Sequence, residues 1–201
     1  MAMTMKKKTK TFAATLAGIW TLCASGIAEE ALQRFVFEKA EMGLPFRITL
    51  YAADEAAARA AADAGFARVA EMNAVFSDYE PDSEVSRLSR THNEWVPVST
   101  ELWRVLEHGQ KLAEKTDGAF DITIGPLVNT WRRARRKKEM PSPELLAEMR
   151  ARVGWRKLEL DPERKAARLL APDMRIDLGG IAKGYAIDAA LAVVMKRGLT
   201  R

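Results

Sequence analysis

The stretch Arg175-Ile176-Asp177-Leu178-Gly179-Gly180-Ile181-Ala182-Lys183-Gly184-Tyr185-Ala186-Ile187-Asp188 decides how the rest of this chain is read. Ile176 and Leu178 flank Asp177 in a short apolar run, which predicts a strand carrying a carboxylate to its end. Gly179 and Gly180 turn the backbone without side chains in the way, and a helix is predicted from about Ile181, with Lys183 in its first turn. Paired glycines after a strand let a ligand approach main-chain atoms, and free N–H groups at a helix start attract anions. Lys183 stands where a cation opposes the helix dipole. It either faces a negative partner such as phosphate or snorkels into solvent as an ordinary surface lysine. The segment is neither a G-x-G-x-x-G loop nor a Walker loop.

Downstream, 12 of the 15 positions from Ile181 to Met195 are apolar, which predicts a helix buried on most sides. A chain that stops soon after such a helix reads as incomplete, with a further segment or a partner expected over any exposed face. Upstream, short strands around Leu158 and Leu169 flank the Asp161-Pro162-Glu163-Arg164 turn as a hairpin. Ser142 and Pro143 open a helix that Gly154 closes, and Ser99 opens another that ends at Asp117-Gly118. A short helix is predicted near Glu84–Ser89, with Trp95–Val98 extended after it. Arg34–Phe37 and Phe46–Tyr51 read as strands, and Asp54–Asn73 as an Ala-rich helix. The predicted class is α+β, a short mixed or antiparallel sheet packed with helices, since no regular β-α-β alternation runs through the chain.

Lys6, Lys7, Lys8 and Lys10 precede an uncharged apolar run from Phe12 to Ile27, and Gly26 and Ala28 suit a cleavage site, so residues 1–28 read as a secretory signal peptide. The expected location is periplasmic or otherwise exported. Lipid anchoring at Cys23, the only cysteine, is the alternative. Loss of the leader removes four lysines and lowers the net charge from +5 to +1, leaving a cysteine-free domain over 29–201. Seven residues from Arg132 to Lys138 hold six cations and read as one basic loop, open to phosphates or a membrane surface or simply solvated. No aromatic residues alternate with those charges, so no nucleic-acid partner is expected.

The run from Asp177 to Tyr185 resembles the D-L-G-G-I-A-K-G-Y signature of the ApbE family, the FAD:protein FMN transferases. Three further segments are similar to that family in order and spacing: Met42-Gly43-Leu44-Pro45-Phe46, Phe76-Ser77-Asp78-Tyr79 continuing through Ser83 to Leu88, and Asp117 to Trp131. The resemblance implies Mg2+-dependent transfer of FMN from FAD to a Thr or Ser hydroxyl of an exported flavoprotein subunit, releasing AMP. It also implies FAD contacts at Met42, Tyr79, Ala119, Phe120, Asp121, Asp177 and Lys183, and a magnesium ligand in the carbonyl of Gly180. Family members are commonly much longer. Their C-terminal part brings a metal-binding aspartate, more flavin contacts and the group proposed to take the hydroxyl's proton, so no catalytic residue is assigned here.

The residues themselves leave alternatives open. Met42 is a flavin contact or a strand-end core residue, and Tyr79 in a polar loop suits a site better than a core. Asp121 binds ligand or satisfies turn amides, and Asp177 binds ligand hydroxyls, caps the following helix, or does both. His92 and His108 lack metal-ligand spacing and read as surface or packing residues. The alternative functions are a flavin-binding module, an FAD pyrophosphatase that flavinylates no protein, and an inactive truncated fragment. The acceptor would be the one link to a membrane other than a lipid anchor.

Overall fold

Two residues of positive φ, Met42 at 50° and Gly43 at 74°, close the first hairpin. Their left-handed backbone matches the twist of paired strands, and Glu41 stands opposite Leu44 across the turn. The computed structural model describes residues 31–199; the leader read over 1–28, with Cys23, lies outside the described residues, as do 200–201. Strands β1 (Gln33–Glu41) and β2 (Leu44–Ala52) form a two-stranded antiparallel sheet. Phe46, Ile48, Leu50 and Ala52 turn to one face of β2, as a period of two requires.

Helix α1 (Glu55–Phe76) starts at Asp54, whose carboxylate accepts the Ala57 N–H at 2.8 Å. Ala58, Ala61, Ala62 and Gly65 line its buried face, so it lies close to the hairpin and to α6 (Ala182–Lys196). A Cβ on Gly65 would stand 2.8 Å from Ile48 Cδ1 and 3.3 Å from Val194 Cγ2. The later part of α1 (Val69, Met72, Phe76) enters a second apolar cluster. Helices α2 (Glu84–Leu88) and α3 (Thr100–Lys115) contribute to it, as do strands β4 (Leu158–Asp161) and β5 (Ala166–Leu169). Strand β3 (Val96–Pro97) joins β5 and β4 in an antiparallel sheet of order β3-β5-β4. The architecture is mixed α and β, with two small antiparallel sheets against helices. Among the described residues no helix is long and apolar enough to cross a membrane.

Three local expectations are corrected. The basic run Arg132–Lys138 is not a loop: α4 (Gly125–Lys137) contains it up to Lys137, and Lys138 caps the helix at φ 56°. Pro126 opens this helix, arginine and lysine are good helix formers, and the last-turn cations Arg135, Arg136 and Lys137 suit the dipole's negative end. Helix α5 (Pro143–Ala151) follows, with Ser142 as its cap.

The strand expected to carry Asp177 is not a strand. Met174, Ile176 and Leu178 alternate inward, but the segment makes a single parallel bridge, Arg175 to Ile124. Its amides go elsewhere: Ile176 N–H donates to Ser89 Oγ and Asp177 N–H to the Ile122 carbonyl. Helix α6 is not buried on most sides. Ala182, Ala186, Ala190 and Val194 form its inner stripe, while Ile187, Leu191 and Met195 are exposed.

Candidate functional site

Three elements meet at one cleft of about 460 Å³. The hairpin turn supplies Met42, Gly43 and Leu44; the end of α1 and the loop after it supply Asn73, Phe76 and Tyr79; the start of α6 supplies Ala182 and Lys183. Met42, Tyr79 and Lys183, far apart in sequence, thus line one space. Met42 is a turn residue in the left-handed conformation rather than a strand-end core residue, although its side chain still packs against the larger cluster. Phe76 and Tyr185 stand edge to face at 5.5 Å beside the cleft.

Hydroxyls shape the loop that presents Tyr79. Ser83 Oγ donates to the Ser77 carbonyl at 2.6 Å, and Ser77 Oγ accepts the Tyr79 N–H at 3.3 Å. Ser83 also caps α2 through the Ser86 N–H at 3.1 Å. Tyr79 itself is 73% exposed. Its ring carries the Arg132 guanidinium 4.3 Å from the ring centroid.

Arg132 is the residue that sequence reasoning missed. Its Nη2 donates to Asp177 Oδ2 at 3.1 Å and its Nη1 to Asp78. Burial works against the guanidinium's charge, but the hydrogen bond and charge of Asp78, and the charges of Asp177 and Tyr79, hold its pKa above the ordinary arginine value. A signal for it existed. Arg132 lies seven residues after Gly125 and therefore, at ~100° per residue, on the same face of α4. Gly125 already abuts the Asp177 segment: a Cβ there would stand 2.6 Å from the Arg175 carbonyl oxygen.

Asp177 does not cap α6, whose first residues receive no side-chain cap. Its Oδ1 instead accepts the Gly179 N–H at 2.8 Å and so fixes the glycine turn, while Oδ2 meets Arg132. Phe120 lies against that turn: a Cβ on Gly180 would be 3.0 Å from Phe120 Cε2. The 120 and 177–180 segments are therefore brought together. Ala119 is exposed in the turn after α3, its N–H donating to the Thr116 carbonyl. Asp121 is turned to the frame: it accepts from the Thr123 N–H and hydroxyl at 2.7 Å each and from the Trp155 N–H at 2.9 Å. Of the two roles open to it, turn amides occupy this carboxylate.

A magnesium ion is poorly served by these residues. No group of three His, Cys, Asp or Glu side chains able to hold a metal occurs among the described residues, and His92 and His108 are both exposed. Asp177 is engaged by Arg132 and Gly179. The Gly180 carbonyl would be a single ligand where the ion prefers six oxygens with a carboxylate among them.

Beyond Tyr79 lies a second, wider groove of about 950 Å³ between α4 and α5, which shares Asp78 and Tyr79 with the first cleft.

A sequence model of the ApbE family matches residues 42–201. An FAD:protein FMN transferase of Haemophilus influenzae is 38% identical over 124 residues, which is 59% of this chain and 36% of the relative. One from Chlamydia muridarum is 31% identical over 158 residues, 76% of this chain and 49% of the relative. Among solved structures, the ApbE protein of Thermotoga maritima superposes with a TM-score of 0.75 at 29% identity, over 82% of this chain and 53% of that one. The flavin transferase ApbE of Vibrio cholerae gives 0.73 at 28% identity, over 84% and 55%. The chain thus spans between about a third and about half of the length of these relatives.

Proposed function

Because the chain belongs to the ApbE family, we propose that it carries the FAD-binding part of an FAD:protein FMN transferase. In that reaction a Thr or Ser hydroxyl oxygen of an acceptor protein attacks the FMN-side phosphorus of the diphosphate. The P–O bond to AMP breaks, AMP leaves with the electron pair, the hydroxyl's proton is released to solvent, and FMN stays joined through a phosphoester. The observation that carries this reading is the cleft in which Met42, Tyr79 and Lys183 converge beside the Asp177 turn.

Each residue suits a part of the ligand. Tyr79 and Met42 offer a flat and a polarisable surface to the isoalloxazine ring. Lys183, at the start of α6, offers its charge to the diphosphate. Asp177 keeps acceptor capacity beyond the bonds from Arg132 and Gly179, which suits ligand hydroxyls. Phe120 supports the Gly180 turn, Asp121 ties residues 121–123 to Trp155, and Ala119 enters through its backbone. Magnesium would neutralise charge on the diphosphate, and among the described residues no cluster of three carboxylate, histidine or cysteine side chains joins the Gly180 carbonyl in holding it. The leader over 1–28 supports export, with the acceptor an exported flavoprotein subunit.

The test is an FAD titration followed by turnover. Flavin emission should be quenched by the chain, and AMP should form only with magnesium and an acceptor that carries the Thr or Ser. FAD whose emission stays unchanged at saturating protein overturns the reading. A second reading, FAD binding without turnover, is favoured by the lack of a carboxylate cluster among the described residues. Quenching without AMP would select it.

A further inference from the structure

We propose that the groove between α4 and α5 is a docking site for an acidic polypeptide segment, namely the stretch of the acceptor protein that flanks its Thr or Ser. This rests on the flavin-transfer reading, because the groove adjoins the FAD cleft through Asp78 and Tyr79. Arg132 and Arg152 on the groove wall are neutralised internally, the first by Asp78 and Asp177, the second by Glu148 at 2.6 Å and Asp173 at 3.6 Å. Arg133, Arg136, Lys137 and Arg175 line the same groove with no acidic partner among the described residues, against one carboxylate there, Glu139, that has no cationic one.

Arg133, Arg136 and Lys137 stand at i, i+3 and i+4 of α4, a spacing at which like charges repel. The helix dipole rewards cations in the last turn alone, and Arg133 lies before it. Arg133 therefore repels Arg136 and Lys137 with no dipole gain of its own, and an anion lying against the set relieves that repulsion. Pro126, Leu145 and Met149 also line the groove and give it an apolar component. A concave channel with cationic walls and apolar patches fits an extended peptide that presents carboxylates. A flat anionic bilayer would touch its rim and leave the interior empty.

The test uses the whole chain and three probes. A fluorescein-labelled peptide of alternating Glu and Gly around one Thr is followed by anisotropy, with a Gln-for-Glu peptide as its neutral counterpart. Phosphatidylglycerol vesicles are followed by co-sedimentation. The acidic peptide should bind about tenfold more tightly than the neutral one at low salt, as three solvated ion pairs along the groove wall would give. The R133Q/R136Q/K137Q variant should lose that margin while quenching FAD as the unmodified chain does. The R104Q/K111Q/K115Q variant, which removes three cations from α3, should keep it.

Equal affinity for the two peptides overturns the proposal. So does equal loss in both variants, which would report net charge rather than the groove. Vesicle binding that depends on Arg133, Arg136 and Lys137 while the peptide stays free would assign the surface to a membrane instead. Acidic-peptide binding with no FAD quenching would sink the flavin-transfer reading and, with it, the acceptor as occupant, leaving only a groove for acidic peptides.

Discussion

Replacing Arg132 with alanine is the most informative single change. The guanidinium joins Asp78 on the loop after α1 to Asp177 before the glycine turn, and covers the ring of Tyr79. Side-chain exposures are 25% for Arg132, 18% for Asp78 and 10% for Asp177. The site therefore lies between a solvated surface pair, worth up to ~1 kcal/mol, and a buried pair, whose breaking costs ~3–5 kcal/mol. Hydrogen bonds to charged groups contribute ~1.5–3 kcal/mol each when made. The cation over Tyr79 adds ~0.5–1 kcal/mol. Arg132→Ala also leaves two carboxylates facing the vacated space, so a loss of ~3 kcal/mol is expected, or ~6–12 °C in Tm for a chain of this size. Urea and thermal unfolding followed by circular dichroism measure it. Arg132→Lys keeps the charge but loses the planar fork, and should forfeit about half as much. Combining Asp78→Asn with Arg132→Ala should cost less than the sum of the two, with ~1–2 kcal/mol of coupling. A loss below ~0.5 kcal/mol, or strict additivity, would show a solvated arginine and refute the clamp.

Other outcomes follow from particular contacts. Gly125→Ala should destabilise by ~2–4 kcal/mol because its Cβ meets backbone at 2.6 Å, whereas Gly184→Ala, with open space around its Cβ, should stabilise α6 by up to ~1 kcal/mol in the same urea melts. Glu101, held below its ordinary 4.5 first by the hydrogen bond from Arg68, contributes stability that is complete above about that pH and lost as pH falls through its lowered value. Glu101→Gln should therefore cost up to ~1 kcal/mol at pH 7 and nothing in strong acid, so a difference that persists in acid would count against it. Lys183→Ala should weaken FAD binding ~5–10-fold and reduce its salt dependence, while Tm holds or rises slightly because a cation leaves the positive end of α6; equal affinity for FAD would move the diphosphate elsewhere.

Periodicity and caps carried most of the fold. Asp54, Ser83, Ser99 and Ser142 each accept an amide at the helix start where their side chains suit a cap. The two hairpins follow from alternation and turn chemistry. The failures share a cause: local pattern stood in for tertiary circumstance. Met174 to Leu178 alternates like a strand, yet its amides are taken by Ser89 and Ile122, so no ladder forms. The apolar count of α6 overstates its burial because alanine supplies the inner stripe while Ile187, Leu191 and Met195 fall on the outer one. Residues 132–137 lack an apolar period, but helix propensity and end charges suffice to continue a helix already begun at Pro126.

The same limit governs the site. Glycine turns and an aromatic in a polar loop are legible because their chemistry is local, and Met42, Tyr79 and Lys183 do line one cleft. Which charges remain available there is not a local property. Asp177 reads as a free acceptor and Arg132 as one more solvated cation, until the fold sets them 3.1 Å apart. Once paired, they contribute no net charge to the cleft, and Asp78 leaves that trio with one excess negative charge. Lys183 is then the cation on that wall facing any diphosphate, and a single lysine with the start of α6 does not balance two phosphate charges. FAD binding by residues 31–199 should for that reason be weak and salt-sensitive, and should strengthen when a further cation is supplied.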